Sequence, residues 1–348
     1  MRQFLPVAAL LLAATHPATR YSNPVINRDF PDPSVIRASD GFYYVYATQS
    51  TGDDGKWRNI QAARSSDLVH WTDLGDVLPS KPSWARRTQD FWAPDVIQDH
   101  GHYILYYSAK PDEALSNDKQ GLCLAVATAT QPQGPFTDSG RPLICGPGFE
   151  NIDPMAFDDP ATGRRLLYWG SGFGPIKVQP LASDRMSFAP GSNPVSLLAP
   201  IKSNDAREYR RLVEGAWVVH HAGYYYLFAS GDNCCGPNAH YAVLIARSRS
   251  ATGPFTMRRR PLYTVVAGDA DWIAPGHNSV IRDGKGVSWM LYHGVDARRP
   301  RTKPSDEINT RRVMLLDRLE WRNGWPETSG KRPSRTQRVP LTEPFKHR

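Results

Sequence analysis

The residues with the most chemical potential are acids that recur at one position of a repeated pattern. Asp32 opens DPSVI, Asp153 opens DPMAF, Glu214 precedes GAWVV and His277 opens HNSVI, while Ala93 fills the same place in APDVI. Singly, each has an ordinary explanation: Asp-Pro starts turns, a strand-end acid finds a partner, and a histidine beside an asparagine is commonly a hydrogen-bonded core residue. Jointly these explanations weaken, because an ionised carboxylate opening a buried strand costs several kcal/mol unless it is paired or used. Carboxylates around a sugar-sized pocket are the equipment of glycosidic bond hydrolysis. One protonates the leaving oxygen, a second activates water, and a third keeps the donor's pKa raised by like-charge repulsion.

The elements that must carry these acids form a repeat. A short aromatic and β-branched strand ending in a small polar residue or a histidine occurs five times: GFYYVYAT from Gly41, GHYILYYS from Gly101, RRLLYWGS from Arg164, GYYYLFAS from Gly223 and GVSWMLYH from Gly286. The starts lie 60, 63, 59 and 63 residues apart. Each copy follows one of the acid-bearing strands across a short polar turn and leads to two further strand-like segments, as in AARSSDLVHW and LIARSRSATGPF. About four antiparallel strands at this period predict an all-β fold, a five-bladed β-propeller, in which the first strand of each blade lines a central channel. Asp32, Asp153, Glu214 and His277 then face one pocket. Phe30, Trp92, Trp169 and Trp217 flank the same strand starts, where flat rings can pack on sugar faces or serve blade packing.

Composition fits this architecture. In 348 residues, 30 Pro, 27 Gly and an 11% aromatic share exclude a helical bundle. The net charge of +8 is spread along the chain, concentrating only at residues 258–260, 298–301 and after Lys331, and no nucleic-acid motif accompanies it. Nucleic acid is therefore not an expected partner, whereas adsorption to acidic polysaccharide is consistent with the charge. Residues 1–18 have the layout of a secretory signal peptide, with Arg2 before an apolar run too short to span a bilayer. The expectation is an exported, soluble monomer with no membrane association, its residues 19–348 forming a single propeller domain. Export permits disulfides among Cys123, Cys145, Cys234 and Cys235, whose pairing the spacing leaves open.

The segments RDFPDPSVI, DFWAPDVI, NIDPMAFDD, LVEGAWVV and RVMLLDRLEWRNGWP, the last at residues 312–326, together resemble glycoside hydrolase family 43, a family of five-bladed propeller enzymes. The resemblance implies Asp32 as general base, Asp153 as pKa-modulating and orienting acid, and Glu214 as general acid. It also implies inversion at the anomeric carbon, with base and acid ~6.5–9.5 Å apart. It further implies a sugar contact by Arg312, a pocket role for Trp92, and support by His277, through water, of calcium or another ion in the channel. Phe30, Trp92, Trp169, His277 and Arg312 form the expected substrate-binding set, and no organic cofactor is required. The stretch from Asp232, DNCCGPNAHYAVLIARSRSATGPF, resembles arabinan-active members. A secreted inverting hydrolase of α-L-arabinofuranosyl linkages in plant cell-wall polysaccharide is thus expected. A β-1,4-xylosidase and a non-catalytic carbohydrate-binding propeller are the alternatives. Exo or endo attack depends on loops such as 110–120 and 202–211.

Overall fold

The computed structural model describes residues 19–112, 121–170, 172–263, 271–302 and 310–341. Residues 1–18, the expected signal segment, and most of loop 110–120 lie outside the described residues. Within them the chain forms strands and turns with no helix, arranged as five small antiparallel sheets, the blades of a propeller.

Every blade is a meander. Blade 1 runs Ser34–Arg37, Tyr43–Ala47, Gln61–Ser65 and Thr72–Asp76; blade 3 runs Met155–Asp158, Arg165–Trp169, Ile176–Pro180 and Val195–Leu198. Blade 4 runs Val213–His221, Tyr224–Gly231, Ala242–Ser248 and Thr256–Met257; blade 5 runs Trp272–Arg282, Ser288–Asp296, Arg312–Arg322 and Trp325–Glu327. Blade 2 has one strand more than the other four. To Phe91–Asp99, His102–Ala109, Cys123–Ala129 and Thr137–Asp138 it adds a short strand, Ile144–Cys145, which pairs with the third. A disulfide joins Cys123 to Cys145 across that pairing, and the adjacent Cys234 and Cys235 are bonded to each other.

The aromatic second strands stitch neighbouring blades. Their rings fill the clefts between sheets, and their hydroxyls reach a carbonyl of the next blade or its connecting turn: Tyr46 to Pro132 at 2.6 Å, Tyr106 to Arg185 at 2.9 Å, Tyr168 to Ala251 at 2.6 Å and Tyr226 to Gly324 at 2.8 Å. A buried hydroxyl left without such a partner would cost about 1–3 kcal/mol, so tyrosine suits these positions only because an acceptor waits. The fifth junction is closed differently. Residues 20–22 pair with 336–338, Tyr21 donates to the Leu316 carbonyl at 2.6 Å, and Asn23 exchanges hydrogen bonds with the Leu316 backbone. The segment before blade 1 therefore runs along the third strand of blade 5, and it delivers Asp32 beside Arg312.

Candidate active site

The five first strands meet the axis in one backbone conformation. Asp32 (φ 57°), Ala93 (44°), Asp153 (57°), Gly215 (60°) and His277 (48°) occupy equivalent places, all left-handed. For a residue other than glycine this costs roughly 1–2 kcal/mol, so four of the five carry strain that the surrounding ring must hold. The hold is visible. The N–H of Asp32 lies 3.2 Å from His293 Nδ1, while the N–H groups of Ala93, Asp153 and His277 donate to Thr48 Oγ1, Ser108 Oγ and Ser230 Oγ at 2.8, 3.0 and 2.6 Å. These acceptors are the polar residues that end the aromatic strands of the preceding blades. The fifth N–H, on Gly215, donates to the Asp153 carboxylate at 2.9 Å. Glycine suits that place, since a Cβ would sit tightly, 3.3 Å from the His277 ring.

Asp32 sits among cations and donors. Arg312 Nη1 reaches its Oδ1 at 2.9 Å, Thr48 donates to its Oδ2 at 2.5 Å, and the Nδ1 atoms of His277 and His293 each lie 3.2 Å from Oδ1. Burial alone would raise its pKa. The Arg312 guanidinium and the two imidazoles outweigh burial and hold it well below the usual carboxylate range. Both histidines are themselves driven toward neutrality, His293 to about 4, chiefly by burial.

Glu214 and Asp153 have the opposite surroundings. Burial raises Glu214 to about 7, with the charge of Asp32 adding to it, although Tyr241 donates to Oε1 at 2.7 Å and Arg312 pulls the other way. Burial and repulsion from Glu214 and Asp32 raise Asp153 well above its ordinary value. The two acids titrate as a pair that retains a proton near neutrality. One ring of side chains thus offers an ionised carboxylate and a protonated one, the combination that acid–base cleavage of a glycosidic bond requires.

Asp32, Asp153, Glu214, His277 and Arg312 are brought together. Two of the expected sugar-binding rings are not available. Phe30 is fully buried, wedged between blades 5 and 1 under the Arg28 guanidinium, and Trp169 is buried between blades 2 and 3 against Phe188 with its Nε1 on Asn151. A ring enclosed by its own core has no face left for a ligand. Trp92 remains partly open and stacks on Phe149, which is 47% exposed. Sequence reasoning missed Tyr241, His293 and Phe149. His293 carried a signal, for it stands where the other aromatic strands end in Thr or Ser.

A small cavity on the axis is lined by Ser34, Asp95, Asp153, Trp217, His277 and Asn278. Asp95 clips three blades together, accepting from Ser34 Oγ and the Ala156 N–H. Among the described residues no group of three His, Cys, Asp or Glu side chains is spaced to bind a metal directly. The side chains of Asn278 and Ser279 are buried without protein partners, a setting that suits water or a hydrated ion. A separate groove lined by Trp289, Arg318 and Gln337 holds none of the acids described above.

The sequence model of glycosyl hydrolases family 43 matches residues 21–326. The chain belongs to that family. Among relatives of this family-43 protein, an extracellular endo-α-(1→5)-L-arabinanase of Bacillus subtilis is 26% identical, the match covering 92% of this chain and 94% of the relative. An extracellular exo-α-(1→5)-L-arabinofuranosidase of Cellvibrio japonicus is 26% identical, covering 87% of each. The crystal structure of a thermostable family-43 glycoside hydrolase superposes with a TM-score of 0.74 at 26% identity, covering 93% of this chain and 100% of that one. The family-43 chain is therefore a glycoside hydrolase acting on O-glycosyl bonds.

Proposed function

We propose that this enzyme is exported and cleaves α-L-arabinofuranosyl linkages of arabinan with inversion. Asp32 takes a proton from water, whose oxygen attacks the anomeric carbon; Glu214 gives a proton to the departing oxygen; Asp153 orients the sugar and keeps Glu214 protonated. The observation that carries the reading is the opposed setting of two carboxylates on one ring: Asp32 is paired with Arg312 at 2.9 Å, whereas Glu214 is raised to about 7, chiefly by burial with the charge of Asp32 adding to it. Arabinose is supported by the activities named for the two relatives, and export by their extracellular designation and the leader-like residues 1–18. No organic cofactor enters the reaction. A hydrated ion beside His277 would be structural, and no step runs through it.

Two measurements test this. Products released from linear arabinan, branched arabinan, arabinoxylan and xylo-oligosaccharides should contain arabinose or arabino-oligosaccharides; release of xylose alone overturns the substrate assignment. Proton NMR of the first product should show the anomer opposite to that of the substrate, and a retained configuration excludes Asp32 as base.

A further inference from the structure

The loop after the second strand of blade 4 carries the Cys234–Cys235 disulfide and ends at Tyr241, and neither feature has a part in the reaction above. Tyr241 is fully buried. Its hydroxyl donates to Glu214 Oε1 at 2.7 Å, and its ring lies nearly parallel to His293, 8° between planes and 5.6 Å between centroids. His293 in turn touches Asp32. One side chain therefore bridges the acid to a histidine that contacts the base.

The ring's seat is built for it. A Cβ on Gly276 would fall 2.1 Å from Tyr241 Cδ1, so only glycine admits the ring. Ala274 and Val295 pack with Tyr241, and Cys234 closes over that cluster. The loop is anchored on three sides: Asp232 pairs with Arg211 and with His240, His240 stacks on Tyr209 at 4.3 Å, and the Gly236 N–H donates to Thr310 Oγ1 of blade 5 at 2.6 Å.

We propose that Tyr241 is the positioning residue of the general acid, fixing which oxygen of Glu214 carries the proton, and that the Cys234–Cys235 loop holds it in place. The inference rests on the assignment of Glu214 as the acid. With Oε1 occupied as an acceptor from tyrosine, the proton sits on Oε2. In the reaction that proton passes to the glycosidic oxygen as its bond to the anomeric carbon breaks, while water loses a proton to Asp32 and forms the new bond. The carboxylate left on Glu214 keeps the tyrosine hydroxyl as donor, so the same contact stabilises the charge that develops there. The titratable and charged groups around Glu214 are Asp32, Asp153, His277, His293 and Arg312 from other blades and Tyr241 from its own. Of these, Tyr241 donates a hydrogen bond to Glu214 directly.

Tyr241→Phe keeps the ring and removes the donor. On arabinan, kcat should fall about tenfold, the size of one hydrogen bond to a charged group, with KM unchanged. Because the hydroxyl favours the ionised form of Glu214, the alkaline limb of the pH profile should move to higher pH. The loss should vanish on 2,4-dinitrophenyl α-L-arabinofuranoside, whose leaving oxygen needs no proton. An unmoved limb with unchanged kcat, or an equal loss on both substrates, overturns the proposal. The double variant Cys234→Ser/Cys235→Ser should shift the limb in the same direction by less, and an unchanged profile removes the loop from it. If Glu214→Gln stays fully active on arabinan, the assignment of the acid fails instead, independently of Tyr241.

Discussion

Asp32, buried at the start of blade 1, and Glu214, half-buried at the start of blade 4, face one axis and bear the same functional group, yet the protein drives them in opposite directions. Burial raises the pKa of each. What separates them is company: Asp32 faces Arg312, Thr48 and two imidazoles, whereas Glu214 has one neutral donor and two other carboxylates near it. Burial acts on both acids, and what makes their protonation states diverge is the cluster of Arg312, Thr48 and two imidazoles packed directly against Asp32. The placement of Arg312 depends on how the propeller closes. The Phe30 N–H donates to the Arg312 carbonyl at 2.8 Å and the Arg312 N–H to Asp29 Oδ1 at 2.8 Å, so the junction of blades 5 and 1 is also what pairs Arg312 with the base.

The largest effects should come from removing either end of this contrast. Asp32→Asn and Glu214→Gln should each lower kcat on arabinan by about 10²–10⁴-fold, the range for general acid or base catalysis, with the far-ultraviolet circular dichroism of the parent. They should differ in leaving-group dependence. The glutamate variant should recover much of its rate on 2,4-dinitrophenyl α-L-arabinofuranoside, and the aspartate variant should not. Identical behaviour of the two would mean that the roles are not divided as proposed.

The pH profile of the parent enzyme should be lopsided. The base works ionised, so activity should persist as pH falls until the lowered pKa of Asp32 is reached, below the usual carboxylate range. The acid works protonated, so kcat/KM should fall as pH rises through about 7. An acid limb near neutrality would contradict the setting described for Asp32. Arg312→Met sharpens the test. Its positive charge favours the ionised form of both acids, and its loss should move both limbs to higher pH. Movement of only the alkaline limb would show that the histidines, not Arg312, keep the base ionised.

Much of this was legible in the residue pattern because a propeller repeats. A period near 60 residues located five strand starts, and their occupants placed Asp32, Asp153, Glu214 and His277 around one axis. Arg312 came from resemblance and lands on Asp32. The pattern could not tell a ring aimed at the cleft from one aimed between blades, because both flank the same strand start. Phe30 and Trp169 were lost on that account. Tyr241 was hidden for another reason: its contact with Glu214 joins the first strand of blade 4 to the residue before the third, 27 positions on, and needs Gly276 of the next blade to clear a place. Neither relation has a sequence period.

The smallest expected effect concerns the rim. Phe149 stacks on Trp92 at 6.0 Å with 14° between planes, and its Cβ lies close to Gly172, whose carbonyl accepts the Val213 N–H one residue before Glu214. An exposed, uncharged ring so placed should leave the protonation of Asp32 and Arg312 untouched, and it offers a face to a further sugar of a chain. Phe149→Ala should therefore raise KM for arabinan a few-fold, the worth of roughly 1 kcal/mol of aromatic contact, with kcat and both pH limbs unchanged. On 4-nitrophenyl α-L-arabinofuranoside, which offers only one sugar, the variant should match the parent. A matching rise in KM on that small substrate would place the ring at the cleaved sugar itself, and the contrast between a charged axis and an apolar rim would then lose its meaning for binding.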